Sequence, residues 1–143
     1  MSIDTALAFT LQWEGGSKYT NDPDDPGGET KYGIAKKAHP SEDIKNLTLE
    51  RATELYKIGY WFDLPEPLAT AAFDTAVNVG RGRVQGWLVP LEGHDPVTAA
   101  KELLDRRAAH YEKIIAVNPK LEKYRKGWGN RMAALRKHLG LGG

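Results

Sequence analysis

The sequence has no cysteine, which removes disulfides, thiolate nucleophiles, zinc ribbons and iron–sulfur clusters and leaves the redox compartment open. It has no run approaching the roughly 20 apolar residues of a membrane-spanning helix and no repeated or low-complexity tract. Net charge is also nearly absent, at +1 over 143 residues, and with 41% hydrophobic residues intrinsic disorder is excluded. One domain spanning residues 1–143, with one substantial core, is the expectation. The opening Met1-Ser2-Ile3-Asp4-Thr5 lacks the basic region and apolar stretch of a signal peptide, so synthesis in the cytoplasm is expected. The histidines, His39, His94, His110 and His138, stand at no metal-ligand spacing, and neither a Gly-x-Ser-x-Gly elbow nor a phosphate loop occurs. No metal and no cofactor is expected.

What is present is unevenly distributed. Residues 1–30 carry six acids (Asp4, Glu14, Asp22, Asp24, Asp25, Glu29) against one base, Lys18. From Lys120 to Lys137 seven bases stand against Glu122 alone. A basic helix of this kind suits weak contact with an anionic envelope, although a solvated helix face has the same composition. No nucleic-acid partner is expected, and the chain is expected to be a monomer.

The periodicity predicts a mainly helical chain. Ile3, Leu7, Leu11 and Glu14 share a helical face over residues 3–14, and Gly15-Gly16 stops that helix. Asn21-Asp22-Pro23-Asp24-Asp25-Pro26-Gly27-Gly28 then forbids a helix and dictates a structured loop or short hairpin, with Tyr32-Gly33-Ile34 as a brief strand. Thr48 is the expected cap of a helix to about Tyr60, with Leu49, Ala52, Tyr56 and Tyr60 on one face. An alanine-rich helix from Leu68 to about Val79, closed by Gly80 and Gly82, reads as buried at the centre. A short helical piece follows at Val84 to Leu88. Asp95-Pro96 supplies a cap and first residue for a long helix to about Val117, with Val97, Leu103, Leu104, Ala108, Tyr111 and Ile115 inward. A last helix is expected from about Asn130 to Leu139.

One chemistry suits a carboxylate at a helix end beside an acidic loop. Glycoside hydrolysis needs a carboxyl group kept protonated near neutral pH and a second carboxylate across the scissile bond. Glu14 shares a stripe with Leu7 and Leu11, follows Trp13 and sits at the negative end of a helix dipole, all of which disfavour a charged carboxylate. The two glycines after it leave room for a sugar ring. Taken alone, Glu14 suits a surface ion pair with Lys18, four residues on, better than it suits catalysis, and Gly15-Gly16 an ordinary helix stop. For the second carboxylate the loop offers Asp22, Asp24 and Asp25. Asp22 is the choice, since it follows the aromatic Tyr19 closely and Pro23 stiffens it, although aspartates also cap turns of this kind. Thr30 is a candidate to hold the attacking water. A calcium loop is disfavoured by Pro23 and Pro26 and by glycine, Gly33, at the twelfth position.

Glu14-Gly15-Gly16, Tyr19, Asn21-Asp22-Pro23, Asp25-Pro26-Gly27-Gly28, Thr30 and Gly33-Ile34 together resemble glycoside hydrolase family 108, the phage endolysins and secretion-associated muramidases. The resemblance continues through Asp43 to Thr48, Tyr60-Trp61, Phe73-Asp74, Ala76-Val77-Asn78, Gly127-Trp128 and Asn130-Arg131. It implies a lysozyme-like helical fold and hydrolysis of the β-1,4 bond between N-acetylmuramic acid and N-acetylglucosamine in peptidoglycan, with Glu14 as acid. The spacing of Glu14, Asp22 and Thr30 is similar to the Glu, Asp, Thr trio of T-even phage lysozymes, which suggests inversion. Tyr19, Tyr32, Asp74, Asn78, Trp128 and Asn130 are the candidate substrate contacts, the last four equally suited to caps or core. An endolysin-type enzyme of this kind reaches the cell wall through a holin or a dedicated secretion route. A lytic transglycosylase and a non-catalytic peptidoglycan-binding protein are the rivals.

Overall fold

A computed structural model describes residues 3–21, 23 and 27–142 of the chain. The first helix, α1 (Ile3–Trp13), buries Ile3, Ala6, Leu7, Phe9 and Thr10, the spacing of one helical face. It stops where the glycines require. Gly15 and Gly16 adopt φ of 90° and 57°, and the Gly16 amide closes back on the Leu11 carbonyl at 2.9 Å, a Schellman-type end. Glu14 is thus the first residue past the helix.

The two strands that follow, β1 (Thr30–Lys31) and β2 (Ile34–Ala35), form an antiparallel hairpin with Thr30 opposite Ala35. Tyr32 and Gly33 are its turn, at φ of 53° and 73°, the two left-handed residues of a type I′ connection. The strand expected at Tyr32-Gly33-Ile34 is therefore displaced. A tyrosine is costly at positive φ, but here the Tyr56 hydroxyl donates to the Tyr32 carbonyl at 2.6 Å and holds the turn from α2 (Leu49–Tyr60). The Thr48 hydroxyl caps α2 by accepting from the Arg51 amide at 3.1 Å, as the sequence predicts. Ala52 and Tyr56 are buried, whereas Leu49, expected on the same inner face, is 49% exposed in the first turn.

The chain divides into two units, residues 1–59 and 60–143. In the second, α3 (Leu68–Val79) packs on α4 (Arg81–Leu88) and α5 (Pro96–Val117), and α5 packs on α6 (Arg125–His138). Every residue of α3 from Leu68 to Ala76 is buried, as its small side chains suggest. Its start is satisfied by Glu66, whose carboxylate accepts from the Thr70 amide and hydroxyl, both at 2.8 Å. Gly80 ends it at φ 100°, while Gly82 lies inside α4, so only one of the two expected stops acts as one. Asp95 caps α5 by accepting from the Thr98 amide at 2.9 Å. Leu103, Leu104, Tyr111 and Ile115 point inward as expected, but Val97 and Ala108 are exposed, and the inner face contains Arg107 instead. The last helix begins at Arg125, five residues before its expected start, with Gly127 and Gly129 inside it. No helix among the described residues is long and apolar enough to cross a membrane.

Candidate active site

Within the first unit, the end of α1 and the hairpin turn meet at Glu14. A Cβ built on Gly33 would lie 2.9 Å from the Glu14 Cβ, 3.4 Å from its Cγ and 2.5 Å from the Tyr56 hydroxyl oxygen. The stem of Glu14 therefore lies directly against the glycine of the turn, and Glu14 is half-buried. On its other side the backbone is open, for a Cβ on Gly15 or Gly16 would meet no atom of the described residues within 4 Å. Trp13, the residue before it, is 38% exposed, and its ring is tilted on that of Phe9 with centres 6.5 Å apart.

This packing makes Gly33 a sharp test of the geometry. Gly33→Ala should destabilise the chain by about 1–2 kcal/mol from left-handed backbone alone, with a further cost for displacing Tyr56 or Glu14. The loss of activity should exceed the unfolded fraction, which hydrolysis assays read beside thermal unfolding will check; unchanged stability and activity would refute the contact.

The acidic loop is anchored at both ends. Thr20 and Thr30 exchange backbone hydrogen bonds of 2.9 and 2.8 Å, and the carbonyls of Gly27 and Glu29 accept from Lys37 and Lys36 at 3.1 and 2.8 Å. Asp22, the expected second carboxylate, lies outside the described residues, as do Asp24 and Asp25. The Thr30 hydroxyl donates to the Gly28 carbonyl at 3.3 Å, a long bond that turns its oxygen lone pairs away from that carbonyl. Tyr19 is half-buried and its phenol donates to the Glu29 carboxylate at 2.6 Å; that bond is the main cause holding the phenol above its ordinary ionisation range. Glu29 was not singled out by the sequence as a partner. Tyr32 is half-buried, with the Lys31 ammonium 5.7 Å from its ring centre.

The remaining candidates belong to the second unit, where they form a buried polar network. Asp74, at 0% exposure, accepts from Arg107 at 2.8 Å and from Arg131 at 2.8 and 3.1 Å. Burial alone would raise its carboxyl; the charges and hydrogen bonds of Arg107 and Arg131 outweigh that and hold it below the usual carboxylate range. A carboxylate so enclosed has no face for a sugar, which corrects its place among the substrate contacts. Arg107 also donates to the Tyr111 hydroxyl at 2.7 Å, and Tyr111 donates to Asn78. Trp128 stacks on Tyr111 with ring centres 4.5 Å apart, on the wall of a cleft of about 740 Å³ between α5 and α6. Asn130 is exposed on α6. Sequence reading passed over Arg107; its signal is the four-residue step to Tyr111 on the apolar stripe of Leu103 and Leu104. The basic run near the C-terminus is partly neutralised, since Arg125 pairs with Glu112 and Glu122 and Arg136 with Asp105.

Residues 7–80 match the family model described as Glycosyl hydrolase 108. Among solved structures, SagA of Brucella abortus is similar, with 26% sequence identity and a TM-score of 0.69 over 95% of this chain and 92% of that one. No curated protein sequence matches the chain.

Proposed function

Because the chain belongs to the glycosyl hydrolase 108 family, and is thus a glycoside hydrolase of the peptidoglycan-cleaving, muramidase kind with a mainly α, lysozyme-like fold, we propose that Glu14 is its general acid. In this reading Glu14 protonates the glycosidic oxygen between N-acetylmuramic acid and N-acetylglucosamine. The supporting observation is its setting, half-buried against the Gly33 turn on one side and open along Gly15-Gly16 on the other. A sugar can reach the carboxyl from the open side without meeting a side chain of those two residues.

Asp22, two residues beyond the Thr20–Thr30 bridge, is the proposed base that takes a proton from the attacking water. Thr30 gives its own proton to Gly28, so its oxygen is set to accept the water's other proton. That leaves a lone pair of the water for the anomeric carbon, the arrangement for inversion. Tyr19, which precedes the acidic loop, and Tyr32, in the turn of the β1–β2 hairpin, are the proposed sugar contacts. An endolysin-type role, with delivery to the wall by a holin or a dedicated secretion route, completes the proposal.

The test is mass spectrometry of peptidoglycan digested by the wild type and by Glu14→Gln, with reductive labelling of new sugar ends. Reducible muramic acid ends made only by the wild type support the proposal. Anhydro ends would select a lytic transglycosylase, and no products from the wild type would select a binding protein.

A further inference from the structure

Within the second unit, α5 carries another stripe besides its buried one. Arg106, His110, Lys113 and Val117 follow one another at steps of four, three and four, so they share one side of the helix. α4 adds Arg83 and Trp87, again four apart. Arg83, Trp87, Arg106, His110 and Lys113 line a pocket of about 270 Å³, in which the Trp87 and His110 rings meet edge-on with centres 5.6 Å apart. Among the described residues no carboxylate lines it. The other arginines of these helices behave differently: Arg107 and Arg131 pair with Asp74, Arg125 with Glu112 and Glu122, and Arg136 with Asp105. Arg106 also borders a neighbouring pocket that contains Glu102 and Asp105. Arg83 and Lys113 have no ion pair among the described residues, and the one side-chain bond of Arg83, from Nε to the Val79 carbonyl at 3.3 Å, leaves both terminal nitrogens available. His110 registers this field, since burial first, and then the charges of Arg83 and Lys113, push its imidazole below its ordinary range. A field of this sign draws an anion.

The anion is specified further by what adjoins the charges. Arg83, His110 and Lys113 also line a second pocket, of about 310 Å³, so the two pockets form one cleft. Its far end is walled by Ile114 and Val117 of α5 and by Leu121 of the 3₁₀ helix Pro119–Tyr124. Val117, the last residue of α5, is 80% exposed, the most of any large apolar side chain among the described residues. We propose that this cleft binds an anionic phospholipid, with its phosphate between Arg83 and Lys113 and the start of an acyl chain against Ile114, Val117 and Leu121. An arginine fork takes two phosphate oxygens at once, and a lysine adds a compact charge. Trp87 suits the headgroup level, where an indole meets hydrocarbon and water together. A phosphate with no chain would use only the cationic half of the cleft and leave Val117 in water. The site lies away from the C-terminal basic run, where envelope contact is expected from the sequence but where Arg125 and Arg136 are already paired. It does not depend on the role of Glu14.

The experiment measures cosedimentation of the full chain with vesicles of phosphatidylcholine, with and without phosphatidylglycerol. The wild type should bind the anionic vesicles only. The double variant Arg83→Gln, Lys113→Gln should bind them about thirtyfold more weakly, a factor of about five for each charge. Val117→Ser should lose about fivefold through its apolar contact. Lys120→Gln with Lys126→Gln removes the same net charge from the C-terminal run and should lose less than about threefold, because those charges lie outside the cleft. All five side chains are exposed, and thermal unfolding checks that each variant folds. Equal losses for the two double variants would reduce the effect to net charge and overturn the proposal, as would no binding by the wild type or full binding by Val117→Ser. Competition separates the sources of phosphate: soluble short-chain phosphatidylglycerol should displace the protein at lower concentration than glycerophosphate at equal ionic strength. Equal potency would identify a phosphate site with no use for a chain, and overturn the lipid. The short-chain lipid should also raise the ionisation of His110, read from its ring resonances, because its charge offsets those of Arg83 and Lys113. Binding that leaves His110 unmoved would place the lipid outside the cleft and refute the site.

Discussion

Glu14→Gln is expected to lower peptidoglycan hydrolysis by about 10³-fold, the middle of the range for loss of a positioned general acid, while moving the unfolding midpoint by no more than a few degrees. The argument for an intact fold is steric. Glutamine has the same stem as glutamate and keeps the contact that the Glu14 Cβ and Cγ make with the Gly33 turn. The argument for lost activity is chemical. An amide can hydrogen-bond the glycosidic oxygen but cannot transfer a proton to it, so the leaving group departs as an alkoxide. Rates of reducing-end formation, with thermal unfolding followed on the same preparations, check both halves. A loss below about tenfold would remove Glu14 from the role, and a large fall in the midpoint would make any loss uninterpretable as chemistry. Comparison with Gly33→Ala separates these effects, since that variant keeps the carboxyl and disturbs its seat.

The Glu14 end of this site was legible in the sequence because local rules decide it. A helical stripe followed by Gly15-Gly16 leaves few options, and Thr48 and Asp95 cap the helices they were expected to cap. What was not legible depended on tertiary partners. Tyr32 reads as a strand residue by propensity, yet it is a turn residue at positive φ, supported by a hydroxyl 24 positions away. Gly127 and Gly129 hide the first turn and a half of α6 by their low helix propensity, although Trp128 between them stacks on Tyr111 and Tyr124. Leu49 and Val97 show that periodicity loses its phase in the first turn of a helix, where a side chain can point past the core. Arg107 is the largest omission. On α5, a 22-residue helix with many charges, a further arginine reads as solvated, and only burial of Asp74 opposite reveals its purpose.

That ion-paired core is the origin of the second large effect. Asp74→Asn should cost about 3–5 kcal/mol, the loss typical of removing one partner from a buried ion pair. Arg107 is 0% and Arg131 5% exposed, and Asp74 accepts from both. With the charge removed, two guanidiniums remain in the interior without it, and the asparagine NH₂ replaces an acceptor with a donor facing a donor. The network has little slack, for Arg107 Nη2 already has no hydrogen-bond partner among the described residues. The same pair sets a pH dependence. Because the Asp74 carboxyl is held below its ordinary value in the folded state, its contribution is fully present above the unfolded value near pH 4 and is lost only as pH falls through the lower, folded one. Urea unfolding of wild type and Asp74→Asn should therefore show a constant difference from neutral pH down to about pH 4, narrowing below it. A difference under about 1 kcal/mol, or one that narrows already between about pH 7 and pH 5, would mean that the two arginines are solvated or find other anions. A constant gap would identify Asp74 as the counter-ion around which α3, α5 and α6 close, and hence as the anchor of the Arg107–Tyr111–Asn78 chain.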